Sequence, residues 1–331
     1  MSCDDDDDDE NEKSRSFEEK ATKEKPTNIG ATQKLDVKIT NAVNVSLARE
    51  TFGGLYVLSN LEQTLPDTVE IIFASKGEGR VRRFTATEML RESLAEVVVG
   101  FYPFAGRLVM GSNGKMAVRC TGEGVPFVEA SMSEDDIQML GDISAIDPPM
   151  LRKLLKHNDG AQTILEKPLL TVRVTTFKCG GIILGILMNQ VVVDGKNLTD
   201  FLTCWTDLAQ AKPLSILPFL DRSVLCPRRP PHVDLPHHEY VLRDLWSESI
   251  VDPQSKPLVY RSFCFESLTL VQLKKVSTIT IHNGSSKVLT SFEVMSVLMW
   301  ILRTKALEID PHETAKLLIA VNGRPILAGN R

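Results

Sequence analysis

Alternation of apolar and polar positions opens the ordered part of the chain. Leu35, Val37 and Ile39 alternate with Asp36 and Lys38, which predicts a short strand. Val69 to Ala74 predicts a second strand. Thr85-Ala86-Thr87-Glu88 has capping-box spacing, and Leu90, Leu94, Val97 and Val98 then fall on one helical face. Lys115 to Cys120 and Val125 to Ala130 predict strands, with Thr121-Gly122-Glu123-Gly124 turning between them. Ser133 to Leu140, acidic at its start, predicts a short helix. Gly53 to Asn60 has no readable period.

The clearest hairpin follows. Leu170, Val172 and Val174 alternate with Thr171, Arg173 and Thr175, Cys179-Gly180-Gly181 turns the chain, and Ile182 to Met188 returns as a continuous apolar run. Such a run marks a strand covered on both faces. A helix from about Lys196 to Gln210, with its stripe at Leu198, Phe201, Leu202, Trp205 and Leu208, packs back on that layer. Between 213 and 257 eight prolines remove backbone donors and interrupt both helix and ladder, the texture of a crossover between two domains. Beyond it, Val259 to Phe265 predicts a strand, Thr290-Ser291-Phe292-Glu293 opens an apolar helix through Leu307, and Lys316 to Val321 predicts a buried strand.

Composition is globular, 43% hydrophobic and 24% charged over 331 residues, enough for two cores. The charge is uneven. Residues 1–30 hold eleven acids against five bases, so this stretch is −6 and the rest is +1 of the overall −5. A nearly neutral body gives no signal for nucleic acid, and residues 1–32 read as a disordered acidic tail. No apolar run reaches the length of a membrane span, and the acidic start is neither a secretory signal nor an Arg-rich transit peptide. Six cysteines at 3, 120, 179, 204, 226 and 264 lack metal or disulfide-scaffold spacing, which predicts reduced thiols in the cytoplasm and no metal.

One segment carries candidate chemistry. Met188-Asn189-Gln190-Val191-Val192-Val193-Asp194-Gly195 joins the apolar strand to the helix. It resembles the His-x-x-x-Asp-Gly signature of the plant BAHD acyl-CoA-dependent acyltransferases, with Gln190 where that family has its catalytic His. Other stretches resemble the family in the same order. They are Gly54 to Gln63, Phe101-Tyr102-Pro103-Phe104-Ala105-Gly106-Arg107, Thr121 to Gly124, Pro218-Phe219-Leu220-Asp221-Arg222, Tyr260 to Phe263, Thr290 to Glu293, and Ala320-Val321-Asn322-Gly323-Arg324. Within the family, the chain looks most like the hydroxycinnamoyl transferases that act on ω-hydroxy fatty acids and fatty alcohols.

The resemblance implies an α/β, chloramphenicol-acetyltransferase-like fold of two domains. The first would occupy 33–212 and the second, incomplete, 258–331, joined by the crossover 213–257. Roughly a hundred further residues, with an Asp-Phe-Gly-Trp-Gly block, would complete the second domain. A channel between the domains would hold residue 190 at its centre, with acyl-CoA entering as co-substrate from one face and a hydroxyl acceptor from the other. No further cofactor is implied, and a monomer is expected. Asp194 would point away from the reaction and pair with Arg324, fixing the loop. Gly195 would allow a tight exit without a Cβ clash. Thr290 and Ser291 would touch the CoA side, although a helix cap explains Thr290 equally well. Trp300 is followed by Ile301, where the branch often has Arg.

Acyl transfer to a hydroxyl needs a base to take the acceptor proton, and histidine suits it because its pKa lies near working pH. A Gln amide can orient an acceptor but is not basic. Three readings follow: an acyltransferase by descent whose activity the amide puts in question, a non-catalytic relative that binds, or a truncated inactive product.

Overall fold

The computed structural model describes residues 37–323 other than 65–67, 77–84, 133–136, 141–147, 159, 217, 223–224, 226–229, 231, 233–262, 278, 281–285 and 311. The acidic tail, Leu35, most of the Pro-rich crossover and Arg324 lie outside the described residues. In chain order the strands are β1 (Lys38–Val45), β2 (Leu55–Val57), β3 (Thr68–Ser75), β4 (Arg107–Met110), β5 (Met116–Arg119), β6 (Val125–Met132), β7 (Leu170–Phe177), β8 (Ile182–Asn189), β9 (Ile279–Thr280) and β10 (Ser286–Lys287). The longer helices are α1 (Ala86–Gly100), α2 (Gly195–Ala209), α3 (Ser267–Val276) and α4 (Ser291–Ala306).

Five strands form one sheet in the order β1-β6-β7-β8-β3. Its pairs are antiparallel except β6–β7, which is parallel and needs the long crossover 133–169. β2, β5 and β4 make a smaller antiparallel sheet. The hairpin expected from alternation is β7–β8, paired from Leu170↔Met188 to Thr176↔Ile182.

Helices α1 and α2 cover one face of the large sheet. Leu94, Val97, Val98, Phe201 and Trp205 are buried in one cluster with Val172, Val174, Ile186 and Met188. Thr85 caps α1 through the expected box, its side chain accepting from the Glu88 N–H while Glu88 accepts from the Thr85 N–H. The indole of Trp205 ties the two helices together, donating to Ser93 Oγ at 2.9 Å and to the Leu90 carbonyl at 3.2 Å. On the other face, residues 153–155 cross the sheet. Arg173 donates from Nη1 to the carbonyls of Lys153 (3.1 Å) and Leu155 (3.2 Å), and burial lowers its pKa. Its cross-strand partner is Gly185, where a Cβ would stand 2.6 Å from the Leu154 carbonyl oxygen. Covering both faces this way accounts for the apolar run of β8 from Ile182 to Met188.

Several expectations are corrected. β1 runs to Val45 although its alternation ends at Ile39. It is an edge strand, exposed on both sides until Val45, so its ladder with β6 defines it rather than its pattern. β4 has no reading in the sequence. The short helix expected at 133–140 is described only at Ile137–Leu140, as a 3-10 turn. Only the end of the predicted strand Val259 to Phe265 is described; residues 263–266 are not strand and lead into α3, which the sequence did not suggest. Lys316 to Val321 is neither strand nor buried, with Leu318 73% and Val321 77% exposed. A strand needs a neighbour to take its backbone groups, and none of the ladders among the described residues includes this segment.

Two outcomes follow from this packing. Trp205→Phe removes one donor shared by α1 and α2 and is expected to cost about 1–3 kcal/mol in urea unfolding. Phe263, Leu268, Val276, Phe292 and Leu318 are all exposed, so the purified chain is expected to bind a dye for apolar surface and to self-associate. A monodisperse monomer with little dye binding would show that this surface is covered.

Candidate active site

The candidate site is the five-residue link between β8, which lies between β7 and β3 in the sheet, and α2. Asn189 ends the strand. It is 2% exposed, and its N–H donates to the Leu169 carbonyl at 2.8 Å. Its side-chain Oδ1 accepts from the Val191 N–H at 3.0 Å, and its carbonyl accepts from the Val192 N–H at 3.2 Å. An Asn side chain that accepts from the N–H two residues on forms an Asx-turn, which reverses the chain locally. Val191, Val192 and Val193 then enter the main core cluster, all nearly inaccessible. Between Asn189 and those valines stands Gln190, half-buried, at the apex of the turn.

Asp194 closes the link as N-cap of α2. Its backbone is extended (φ −106°, ψ 177°), its Oδ1 accepts from the Asn197 N–H at 2.8 Å, and its carbonyl accepts from the Leu198 N–H at 2.9 Å. A carboxylate there also suits the positive end of the helix. Asp194 is exposed, and Arg324, its expected partner, lies outside the described residues. Gly195 is corrected. It is the first residue of α2, its φ is not in the left-handed region, and a Cβ on it would have no described atom within 4 Å, so the structure gives no steric need for glycine.

Thr290 and Ser291 stand at another helix start, that of α4. Thr290 Oγ1 accepts from the Glu293 N–H at 3.2 Å and Glu293 Oε2 accepts from the Thr290 N–H at 2.7 Å, so the hydroxyl is already engaged as a cap. Ser291 is exposed. The remaining motif blocks brace the scaffold. Arg222 donates from Nε to Glu62 Oε1 at 2.6 Å and lies 5.5 Å over the Tyr56 ring, which joins the Pro218–Arg222 block to the Gly54–Gln63 block. Gln63 exchanges two hydrogen bonds with the Met116 backbone, and Arg107 donates to the Gly106 and Gly124 carbonyls.

The two buried thiols are not activated. Burial pushes Cys120 up to about 11, and burial also raises Cys204, the opposite of what a nucleophilic thiolate needs. Burial raises the Tyr56 phenol against the lowering effect of Arg222. Among the described residues no cluster of His, Cys, Asp or Glu could hold a metal, and no helix is long and apolar enough to cross a membrane. The residue that sequence reading passed over is Asn189. A polar residue ending a wholly apolar strand was its available signal.

A model of the Transferase family matches residues 35–330. Omega-hydroxypalmitate O-feruloyl transferase of Arabidopsis thaliana is 39% identical over 83% of this chain and 60% of its own length. Fatty alcohol:caffeoyl-CoA acyltransferase of the same plant is 41% identical over 85% of this chain and 64% of its own. The chain thus spans less than two thirds of these relatives. Among solved structures, vinorine synthase aligns over 82% of this chain and 61% of its own, with a TM-score of 0.57 and 22% identity. TRI101 of F. graminearum, in complex with coenzyme A and T-2 mycotoxin, aligns over 84% and 66%, with a TM-score of 0.53 and 13% identity. At those identities the likeness shows the fold, which is chloramphenicol-acetyltransferase-like.

The cap separates two accounts of Asp194. Asp194→Ala is expected to cost about 1 kcal/mol and Asp194→Asn only a few tenths, since Asn caps equally well. A cost for Asp194→Asn on the order of 3–5 kcal/mol in chemical unfolding would instead show a buried ion pair.

Proposed function

We propose that this chain, which belongs to the BAHD acyltransferase family, carries the acyl-transfer scaffold of that family with an amide in place of the base. The reaction class is transfer of an acyl group from acyl-CoA to a hydroxyl. The two plant relatives are named for feruloyl and caffeoyl groups and for ω-hydroxypalmitate and fatty alcohols. A hydroxycinnamoyl-CoA donor and a long-chain alcohol acceptor are therefore the substrates we assign. Thr290 and Ser291 would lie toward the CoA, Arg324 would brace the loop against Asp194, and the free cysteines Cys120, Cys179, Cys204 and Cys264 accord with a cytoplasmic setting.

The observation that carries this reading is the half-buried Gln190 at the apex of an otherwise intact strand-to-helix loop. The amide can hold an acceptor oxygen by a hydrogen bond but cannot take its proton. Loss of a positioned base lowers the rate by about 10²–10⁴, while an activated thioester and proximity remain. On this reading the chain binds both substrates with little turnover, which joins two of the readings open from the sequence: an acyltransferase by descent that acts as a binding protein.

The test compares Gln190→His with wild type, in this chain and in a chimera extended with the C-terminal part of fatty alcohol:caffeoyl-CoA acyltransferase. Caffeoyl-CoA and a long-chain alcohol are supplied and the ester is measured. Gln190→His in the chimera is expected to gain about 10²–10⁴ in rate. Equal turnover by wild type and Gln190→His would place the base elsewhere. No turnover in either chimera would leave only the binding role.

A further inference from the structure

We infer that Asn189 is the positioning residue for position 190. It is the one residue that bonds to the chain on both sides of Gln190: backward through its N–H to Leu169, forward through Oδ1 to Val191 and through its carbonyl to Val192. All of this happens in a buried setting, with Asn189 2% and Val191 0% exposed. The Val191 N–H accordingly has no water to turn to, and the Asn189 side chain is the acceptor that satisfies it.

The geometry restricts residue 190 from three directions. The ladder holds Asn189 opposite Thr68 on β3, and the bond to Leu169 continues the β7–β8 pairing one step past Leu170↔Met188. The Asx-turn sets the direction in which the chain leaves the strand. The three valines hold the far side in the core. Two bonds act across residue 190 itself, the Asx-turn and the Asn189 carbonyl to the Val192 N–H, and only the Asx-turn depends on the side chain at 189. An apolar residue at 189 could continue the ladder but would leave the Val191 N–H unsatisfied, and the turn would then open by rotation about the bonds of Gln190. A side chain at 190, amide or imidazole, is held at one place only while that turn is closed.

That position 190 is the acyl-transfer position rests on the proposed function; that Asn189 fixes it does not. The experiment separates the two. In the full chain, amide hydrogen exchange is followed by mass spectrometry for wild type, Asn189→Ala, Asn189→Leu and Asn189→Asp. Leu keeps the branched volume without the acceptor, and serves should Ala fail to fold. Asp keeps the acceptor. Val191 is expected to exchange about tenfold faster in the Ala and Leu variants and to stay close to wild type in Asn189→Asp. The same substitutions are then placed beside Gln190→His in the chimera. Ala or Leu is expected to lower kcat about tenfold or more with KM for acyl-CoA unchanged, and Asp to restore it. Unchanged Val191 exchange in both deletion variants, or the same acceleration in Asn189→Asp, would overturn the inference. A kcat that survives Asn189→Leu would do so as well. If Gln190→His transfers no acyl group, the exchange result still decides the role of Asn189.

Discussion

A strand that is buried on both faces cannot simply run out into water, and β8 is such a strand. Helices α1 and α2 lie on one side of it and the 153–155 main chain on the other. The chain has to leave β8 and return as a helix within five residues, without orphaning the backbone groups at the turn. Asn189 solves the polar half of that problem and Val191 to Val193 the apolar half. The return helix then supplies Phe201 and Trp205 to the layer that covers β8 itself. Strand, turn and helix are thus mutually dependent, and position 190 is where this arrangement leaves a side chain uncommitted.

The link divides its work by residue. Asn189 and Asp194 are both short polar side chains that accept backbone N–H groups, one at the strand end and one at the helix start. Each does locally what a long-range ion pair would otherwise be needed to do. For Asp194 the magnitudes matter. An exposed cap contributes on the order of 1 kcal/mol, whereas a buried pair broken on one side costs several. Asp194 is exposed, so its cap contributes the smaller figure.

What was legible in the sequence was whatever a local rule decides. Both capping boxes form as read, because Thr85 with Glu88 and Thr290 with Glu293 need only three-residue spacing. The β7–β8 hairpin and α2 follow from period and turn chemistry. Elements decided by a distant neighbour were not legible. β1 extends through polar Asn41 and Asn44 because β6 offers it a ladder. Lys316 to Val321 has the composition of a buried strand but belongs to no ladder among the described residues. Its apolar pattern records an environment that this part of the structure does not provide. The site divides in the same way. Gln190 and Asp194 were visible as a motif, but the steric role expected of Gly195 was not found, and the organising role of Asn189 appears only when the Val191 N–H is asked where its bond goes.

The same reasoning bears on why the scaffold persists around an amide. The residues that build the loop, brace Glu62 against Arg222 and close Trp205 onto Ser93 serve the stability of the domain, and none of them needs a proton acceptor at 190. The identity of the side chain at 190 can therefore change without removing any of these contacts. A Gln side chain at that position is long enough to occupy the apex and polar enough to tolerate its half-buried setting. It also presents both a donor and an acceptor to whatever oxygen approaches. The fold and the side chain at 190 are separable here, because the structure places its hydrogen bonds on the two neighbours of residue 190 and its apolar contacts on the valines behind it.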